Sequence, residues 1–211
     1  MAEFSLLEVS VWIKKLGSSF KKAHIPFGLS CIFPYHQIKV DEPFLHAVAN
    51  FWIPTQHVFH FNGVEICPTL EKFSAIIAEP KVNTLTFPTT SGDLLALVQA
   101  LLGISLDTAQ HWCMFDKLNI CSIFAYFSWL TIPETDRPHS YYLNAFCICI
   151  LARYFLVQET AHIDRRMCLV VSDLRSGNLA AKILAETLKG LDVFHRKEAN
   201  FFAGSPLLLQ V

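Results

Sequence analysis

The sequence predicts a mainly α, multi-helix globular domain with one small antiparallel β-hairpin. Apolar residues recur at steps of three and four in several segments, which is typical of amphipathic helices. Residues 58–67 alternate around an Asn-Gly pair instead, which is typical of a hairpin. Hydrophobic residues make up 53% of the 211-residue chain and charged residues only 17%. Because so much apolar surface can offset the chain entropy, we expect a folded core rather than disorder.

The first predicted helix covers the N-terminal part of the chain and ends near His24. Its lysine pairs, Lys14-Lys15 and Lys21-Lys22, lie mostly away from the apolar side. Pro26 disfavours helical geometry at the residue before it and so ends the helix. The apolar stripe consists of Leu6, Val9, Ile13, Leu16 and Phe20.

A second helix is predicted over Glu42–Trp52, where Pro54 stops it. A hairpin follows, turning at Asn62-Gly63, because this pair suits the positive φ of a two-residue turn. In this register Phe61 faces Val64 and Phe59 faces Ile66 on one side, while His60 faces Glu65 on the other. We expect the four apolar side chains to be buried together against helices.

Most of the remainder of the chain is predicted to be helical, apart from a loop over Pro80–Thr90, for which a short edge strand is the alternative. Thr69 caps a helix that runs to about Ala78, and Ser91 caps another with Asp93 in its first turn. Thr131–Pro138 is a polar surface loop, and composition does not change across it. We therefore expect one domain, residues 1–211. Further helices are predicted at about 105–111, 116–130, 140–157, 164–174 and 178–190.

The sequence indicates no catalytic, cofactor-binding or metal-binding residues. It lacks glycine-rich phosphate loops and the common nucleophile and zinc motifs. His57 and His60 point to opposite faces of a strand, so they cannot share a metal ion. A cluster of His60, Glu65 and Cys67 is conceivable, but the polar outer face of a hairpin is the commoner explanation. We expect a protein that is not an enzyme and needs no cofactor.

Charge and cysteine usage indicate an intracellular protein. The net charge of -1 gives no overall attraction to nucleic acid. The charges at 164–166 and 195–197 are expected to lie on the surface. The number of cysteines, seven, is odd, and their spacing is irregular. This pattern indicates reduced thiols rather than a disulfide framework or a zinc site. The apolar stretch Tyr141–Val157 contains Asn144 and Arg153, so it predicts a buried helix rather than a membrane span. No signal peptide is evident.

Four blocks of residues occur in one order along nearly the whole chain. They are Trp12, Leu16, Phe20 and Phe27-Gly28; Val40-Asp41, Ala47, Phe51-Trp52 and Pro54; Phe59, Phe61, Val64–Glu71 and Phe73; and Asn178–Ala180, Ile183–Thr187, Leu191-Asp192, Phe202, Gly204–Pro206 and Leu208–Gln210. Together they resemble the plant mobile domain family of plant nuclear proteins and retrotransposons. Lys72 departs from the family pattern, which more often has an acidic residue there.

The resemblance implies a non-catalytic nuclear interaction module related to transcriptional control or transposable-element silencing. It also implies a protein partner, which for some members of the family is phosphatase-like. The family's aminotransferase-like label would require a Schiff-base lysine in a phosphate-binding pocket, for which the sequence offers no context. No functional residue is carried over from the family.

Two alternatives remain open. One is a transposon-derived domain that binds or processes nucleic acid, supported by the two lysine pairs of the first helix and by Arg165-Arg166. The other is a decayed retroelement fragment with no present role.

Relatives in this family continue beyond Val211, which predicts a C-terminally truncated member. We therefore expect an exposed apolar patch, formed by Leu207–Leu209 and the helix around Leu184–Leu191, and self-association through it.

Overall fold

A computed structural model describes residues 40–77, 93–129, 136–156, 161–172 and 179–210. The helix predicted over residues 6–24 lies outside these ranges. The predicted class is confirmed, since the described residues are mainly helical with small antiparallel sheets. These ranges contain two three-stranded sheets, ordered β1-β2-β3 and β4-β5-β6. The second sheet was not predicted.

Helix α1, Glu42–Ala49, begins after Asp41, whose carboxylate accepts a 2.9 Å hydrogen bond from the backbone N–H of Phe44. The helix is shorter than predicted, because the chain turns after Ala49 to form strand β1, Trp52–Ile53. Trp52 pairs with Phe59 in the neighbouring strand and is only 2% exposed. Burial of this indole favours the strand over a further turn of helix.

The hairpin prediction is confirmed in register but wrong in burial. Strands β2, Val58–Phe61, and β3, Val64–Ile66, pair as predicted around Asn62 and Gly63, whose φ angles are 47° and 85°. Phe59 is buried, yet Val64 is 60% and Ile66 47% exposed. The reason is that β1 pairs with the other side of β2 and shares its covering, whereas β3 is left as the edge strand.

The next helices follow predicted caps with one correction. Thr69 caps α2, Leu70–Ile76, through the backbone N–H of Lys72. Asp93, rather than Ser91, caps α3, Leu94–Leu102; Ser91 lies outside the described residues. Helix α4 spans Leu106–Trp112.

The second sheet shortens two predicted helices. It consists of β4, Cys113–Met114, β5, Lys117–Asn119, and β6, His162–Asp164. As a result α5 begins only at Ile120 and α7 only at Met167, and they end at Trp129 and Ser172. Strand β6 pairs with β5, which is far away in sequence, so no local sequence pattern predicts it.

The last part of the fold is helical. Helix α6, Asp136–Ile150, starts inside the segment predicted as a loop and continues into a π-helical turn, Leu151–Phe155. Pro138 is compatible with this start, because the first turn of a helix needs no backbone N–H donors. Helix α8, Leu179–His195, outlasts its predicted end at 190, and α9, Pro206–Gln210, follows.

Helix α8 contributes to two apolar cores. Its first half places Leu179, Ala180 and Ile183 in the larger core, around α6. Its second half places Leu191 and Phe194 in a smaller core with α1 and the first sheet. The helix therefore holds the first sheet to the rest of the described structure. No helix in these ranges is both long and apolar enough to cross a membrane.

Candidate interaction surface

Several apolar side chains near the smaller core are exposed, and the first of them in chain order lie at α1. Phe44 lies on the helix and Phe51 in the turn that follows it, whereas Val48 between them is partly buried against the smaller core. Phe44 is 40% and Phe51 44% exposed, and Val40, just before the helix, is 41% exposed. Leu45 and Ala49 face the core instead. The helix thus presents one apolar side inward and another outward.

This stripe continues onto the first sheet. The Phe51 and Phe61 rings lie 4.6 Å apart between centroids, and Phe61 pairs with Val64. Ile66 lies on the same face as Val64, two residues along the edge strand. The six residues form what we call the sheet-edge surface: Val40, Phe44, Phe51, Phe61, Val64 and Ile66.

A set of polar contacts, which we call the brace, joins α1 and the first sheet to α8. The Trp52 indole Nε1 donates a 2.8 Å hydrogen bond to Asp192 Oδ1, which joins β1 to α8. His57 Nε2 lies 3.5 Å from the other carboxylate oxygen, and its ring stacks on Trp52 at 5.9 Å. His195 Nδ1 lies 2.8 Å from the Ala49 carbonyl oxygen. These contacts fix α1 and the first sheet on α8, so the surface is held in one orientation.

The polar face of the hairpin shows no catalytic arrangement. His60 pairs with Glu65 as predicted. The fold brings Cys67, His57 and Asp192 into one neighbourhood, which sequence spacing did not reveal. The Cys67 thiol, however, donates to the backbone carbonyls of His57 and Pro68, at 3.5 and 3.4 Å. Across the described residues, no three His, Cys, Asp or Glu side chains are grouped to hold a metal ion.

The charged residues around the second sheet pair with one another. Arg165 contacts Asp116 at 3.0 Å, and Arg166 Nε contacts both Asp164 oxygens at 3.0 and 2.8 Å. Partial burial raises the pKa of Asp164, but hydrogen bonds from Arg166 and its charge outweigh burial and hold that pKa below its ordinary value. Both arginines are thus engaged by carboxylates in this arrangement.

Three cysteines belong to the core. Cys147, Cys149 and Cys168 are each 2% exposed or less. Burial raises the pKa of Cys147 and of Cys168 to about 12. Because the thiolate is the reactive form, these thiols are chemically inert in the folded chain and act as small apolar side chains.

The prediction of an exposed C-terminal patch is wrong in location. Leu191 is 2% and Leu208 5% exposed, since both pack into the cores. Leu184, Leu188 and Leu209 are partly buried against the same cores. The chain after α8 returns along that helix and packs on it. This contact joins residues that are distant in sequence, so local sequence patterns do not predict it. Among the described residues, large apolar side chains are exposed at α1 and the first sheet, and also around the second sheet, where Met114 is 60% and Phe115 90% exposed.

Residues from separate sequence blocks meet beside this surface. Trp52 bonds Asp192, and Phe59, Leu191 and Phe202 belong to the same small core. The motif residues thus have a structural role in assembling the first sheet on α8. No family model, curated protein or solved structure matches this chain.

Proposed function

We propose that this chain is a non-catalytic interaction module that binds a protein partner through the sheet-edge surface. The observation that carries the proposal is a group of exposed apolar side chains at α1 and the first sheet, on a scaffold that polar contacts hold to α8, since such patches mark interaction sites. Asp41 and Glu42 are exposed beside Val40 and Phe44. The partner that fits is an apolar segment flanked by basic residues, because its charges complement this rim.

The resemblance to plant mobile domain proteins supports a nuclear setting, in transcriptional control or transposable-element silencing. The alternative of a nucleic-acid-binding domain loses part of its support, because Arg165 and Arg166 are paired with carboxylates. A steep fall of filter-bound DNA or RNA with rising salt would contradict the protein-partner proposal.

The experiment compares capture by matched variants of the full chain from plant nuclei. The surface variant carries Val64→Lys and Ile66→Lys. The control carries Met114→Lys and Leu106→Lys, whose exposures of 60% and 46% match the 60% and 47% of the surface pair. A specific partner, then purified and titrated, should bind the control like the native chain and lose at least about tenfold affinity for the surface variant, because charged side chains would be buried there. Equal binding to both variants, or recovery of general chaperones alone, would contradict the proposal.

A further inference from the structure

Strand β3 forms an open edge of the first sheet. Among the described residues it pairs only with β2, and Val64, Glu65 and Ile66 are all exposed. An exposed edge strand carries backbone N–H and C=O groups that can pair with a further strand. The sheet-edge surface therefore offers backbone hydrogen bonds in addition to its apolar side chains.

The register of the hairpin shows which backbone groups of β3 point outward. The two-residue turn makes Phe61 and Val64 the first pair, whose backbones exchange hydrogen bonds. Such pairs alternate along an antiparallel ladder, so the next pair, His60 with Glu65, is not hydrogen-bonded. In agreement with this, the His60 N–H donates at 2.8 Å to the Phe51 carbonyl, on the other side of β2. The N–H and C=O of Glu65 are therefore directed toward the open edge.

A strand added in antiparallel orientation at this edge would meet alternating requirements. The residue opposite Glu65 exchanges two backbone hydrogen bonds with it, and a positive charge in that place is favourable. The residues opposite Val64 and Ile66 form the closer, non-hydrogen-bonded pairs, in which apolar side chains pack together. The segment that fits is thus extended, with a lysine or arginine between two apolar residues.

A second copy of this chain fits the same edge poorly. Two β3 strands paired about their centres would place Glu65 directly opposite its own copy, and like charges in that position are destabilising. The charge pattern therefore favours a different protein as the occupant.

We propose that β3 binds its protein partner by strand addition and selects an extended segment with the order apolar, basic, apolar. The inference rests on the proposed function for the existence of a partner and adds how that partner is recognised. Strand addition differs from binding by side chains alone, because only strand addition uses the backbone of the bound segment.

Short random peptides displayed on phage and panned against the full chain provide the probe. We expect enrichment of sequences with a lysine or arginine between two apolar residues. Panning against Glu65→Lys should enrich an aspartate or glutamate at the central position instead, because the facing charge is reversed. Asp107→Lys makes the same change of charge at an exposed position of α4 and should leave the native pattern unchanged.

Backbone N-methylation of an enriched peptide tests strand addition itself. A methyl group on the nitrogen of the basic residue removes the donor to the Glu65 carbonyl, so the affinity for the full chain should fall about tenfold or more. A methyl group on the nitrogen of either apolar neighbour should have a much smaller effect, because those N–H groups point away from β3.

Three outcomes would overturn the inference. They are the absence of an enriched alternating pattern, an affinity indifferent to which nitrogen is methylated, and a dimer of the native chain that Val64→Lys with Ile66→Lys dissociates. In the first two cases, a captured nuclear partner that still loses affinity for the Val64→Lys and Ile66→Lys variant would leave the proposed function standing. Failure of that capture, with strand addition demonstrated on peptides, would contradict the proposed function instead.

Discussion

Thr187 shows how a single polar side chain joins the end of the described chain to α8. Its hydroxyl donates to the Ile183 carbonyl at 2.7 Å and accepts from the Ser205 backbone N–H at 3.0 Å. Both Thr187 and Ser205 are fully buried. A buried backbone donor without a partner costs free energy, so this hydroxyl fixes where the returning chain crosses the helix.

Replacing Thr187 separates the hydroxyl from the shape of the side chain. Thr187→Val keeps the shape and leaves the Ser205 N–H without its acceptor, so the free energy of unfolding should fall by about 1–3 kcal/mol. Thr187→Ser keeps the hydroxyl and should cost only about 1 kcal/mol for the lost methyl group. Urea unfolding measures both. A larger loss for serine than for valine would contradict the role of the hydrogen bond.

Asp164 gives a pH dependence of known sign. Its pKa is held below the ordinary 3.8 in the folded chain, so its stabilising contribution is present above that value and is lost as the pH falls through the folded pKa. Thermal unfolding of the native chain and of Asp164→Asn should therefore differ at pH 7 and converge near pH 2. The difference should stay below about 1 kcal/mol, because the pair is partly exposed. A difference that grows on acidification would contradict the assignment.

At the scale of elements, α8 and the segment that follows it approach closely at Gly190. A Cβ atom placed there would lie 1.7 Å from the Ala203 carbonyl oxygen. Glycine is therefore required by the crossing of two backbones, although alanine ordinarily favours a helix interior.

Gly190→Ala is expected to destabilise the fold, because backbone must move to relieve the clash. The cost should be about 1–3 kcal/mol or more, as for other overpacked sites. At a helical position without such a close contact, the same change would instead raise the free energy of unfolding by up to about 1 kcal/mol. The sign of the change in denaturant midpoint decides between the two, and stabilisation would show that the chain after α8 does not pack at Gly190.

The first sheet depends on α8 through the carboxylate of Asp192. Asp192→Ala should lower the free energy of unfolding by about 1–3 kcal/mol, since the buried Trp52 indole loses its acceptor. Asp192→Asn keeps an oxygen in place and should cost less. Tryptophan fluorescence during denaturation reports both variants. Equal stability of the alanine variant and the native chain would contradict the brace.

Local patterns predicted those elements whose signals are local. The Asn62-Gly63 turn, the register of β2 and β3, and the cap Thr69 belong to this group, whereas the cap Asp41 was not predicted. Strands β1 and β6 were missed, because they are short and form only by pairing with other strands. The burial of β3 was predicted wrongly. The alternation of apolar and polar residues shows which residues of a strand lie on the same face, but not whether another element covers that face.

At the scale of the whole molecule, the two cores explain where function is expected. Within the described residues, exposed apolar side chains lie near both cores: Phe44, Val64 and Ile66 near the smaller one, and Met114 and Phe115 at the second sheet. The candidate surface lies beside the smaller core. It could not be found from sequence, because its members come from α1 and the residues next to it, from β2 and from β3, and local patterns do not say which of them are covered.

A footprint of the bound partner tests the central claim most directly. Hydrogen exchange of the full chain should be measured with and without the purified partner. The account predicts new protection in peptides covering 44–51 and 61–66, with no change at 113–119 in the second sheet. Protection confined to the second sheet, with residues 61–66 unaffected, would contradict the claim that this module binds through the sheet-edge surface.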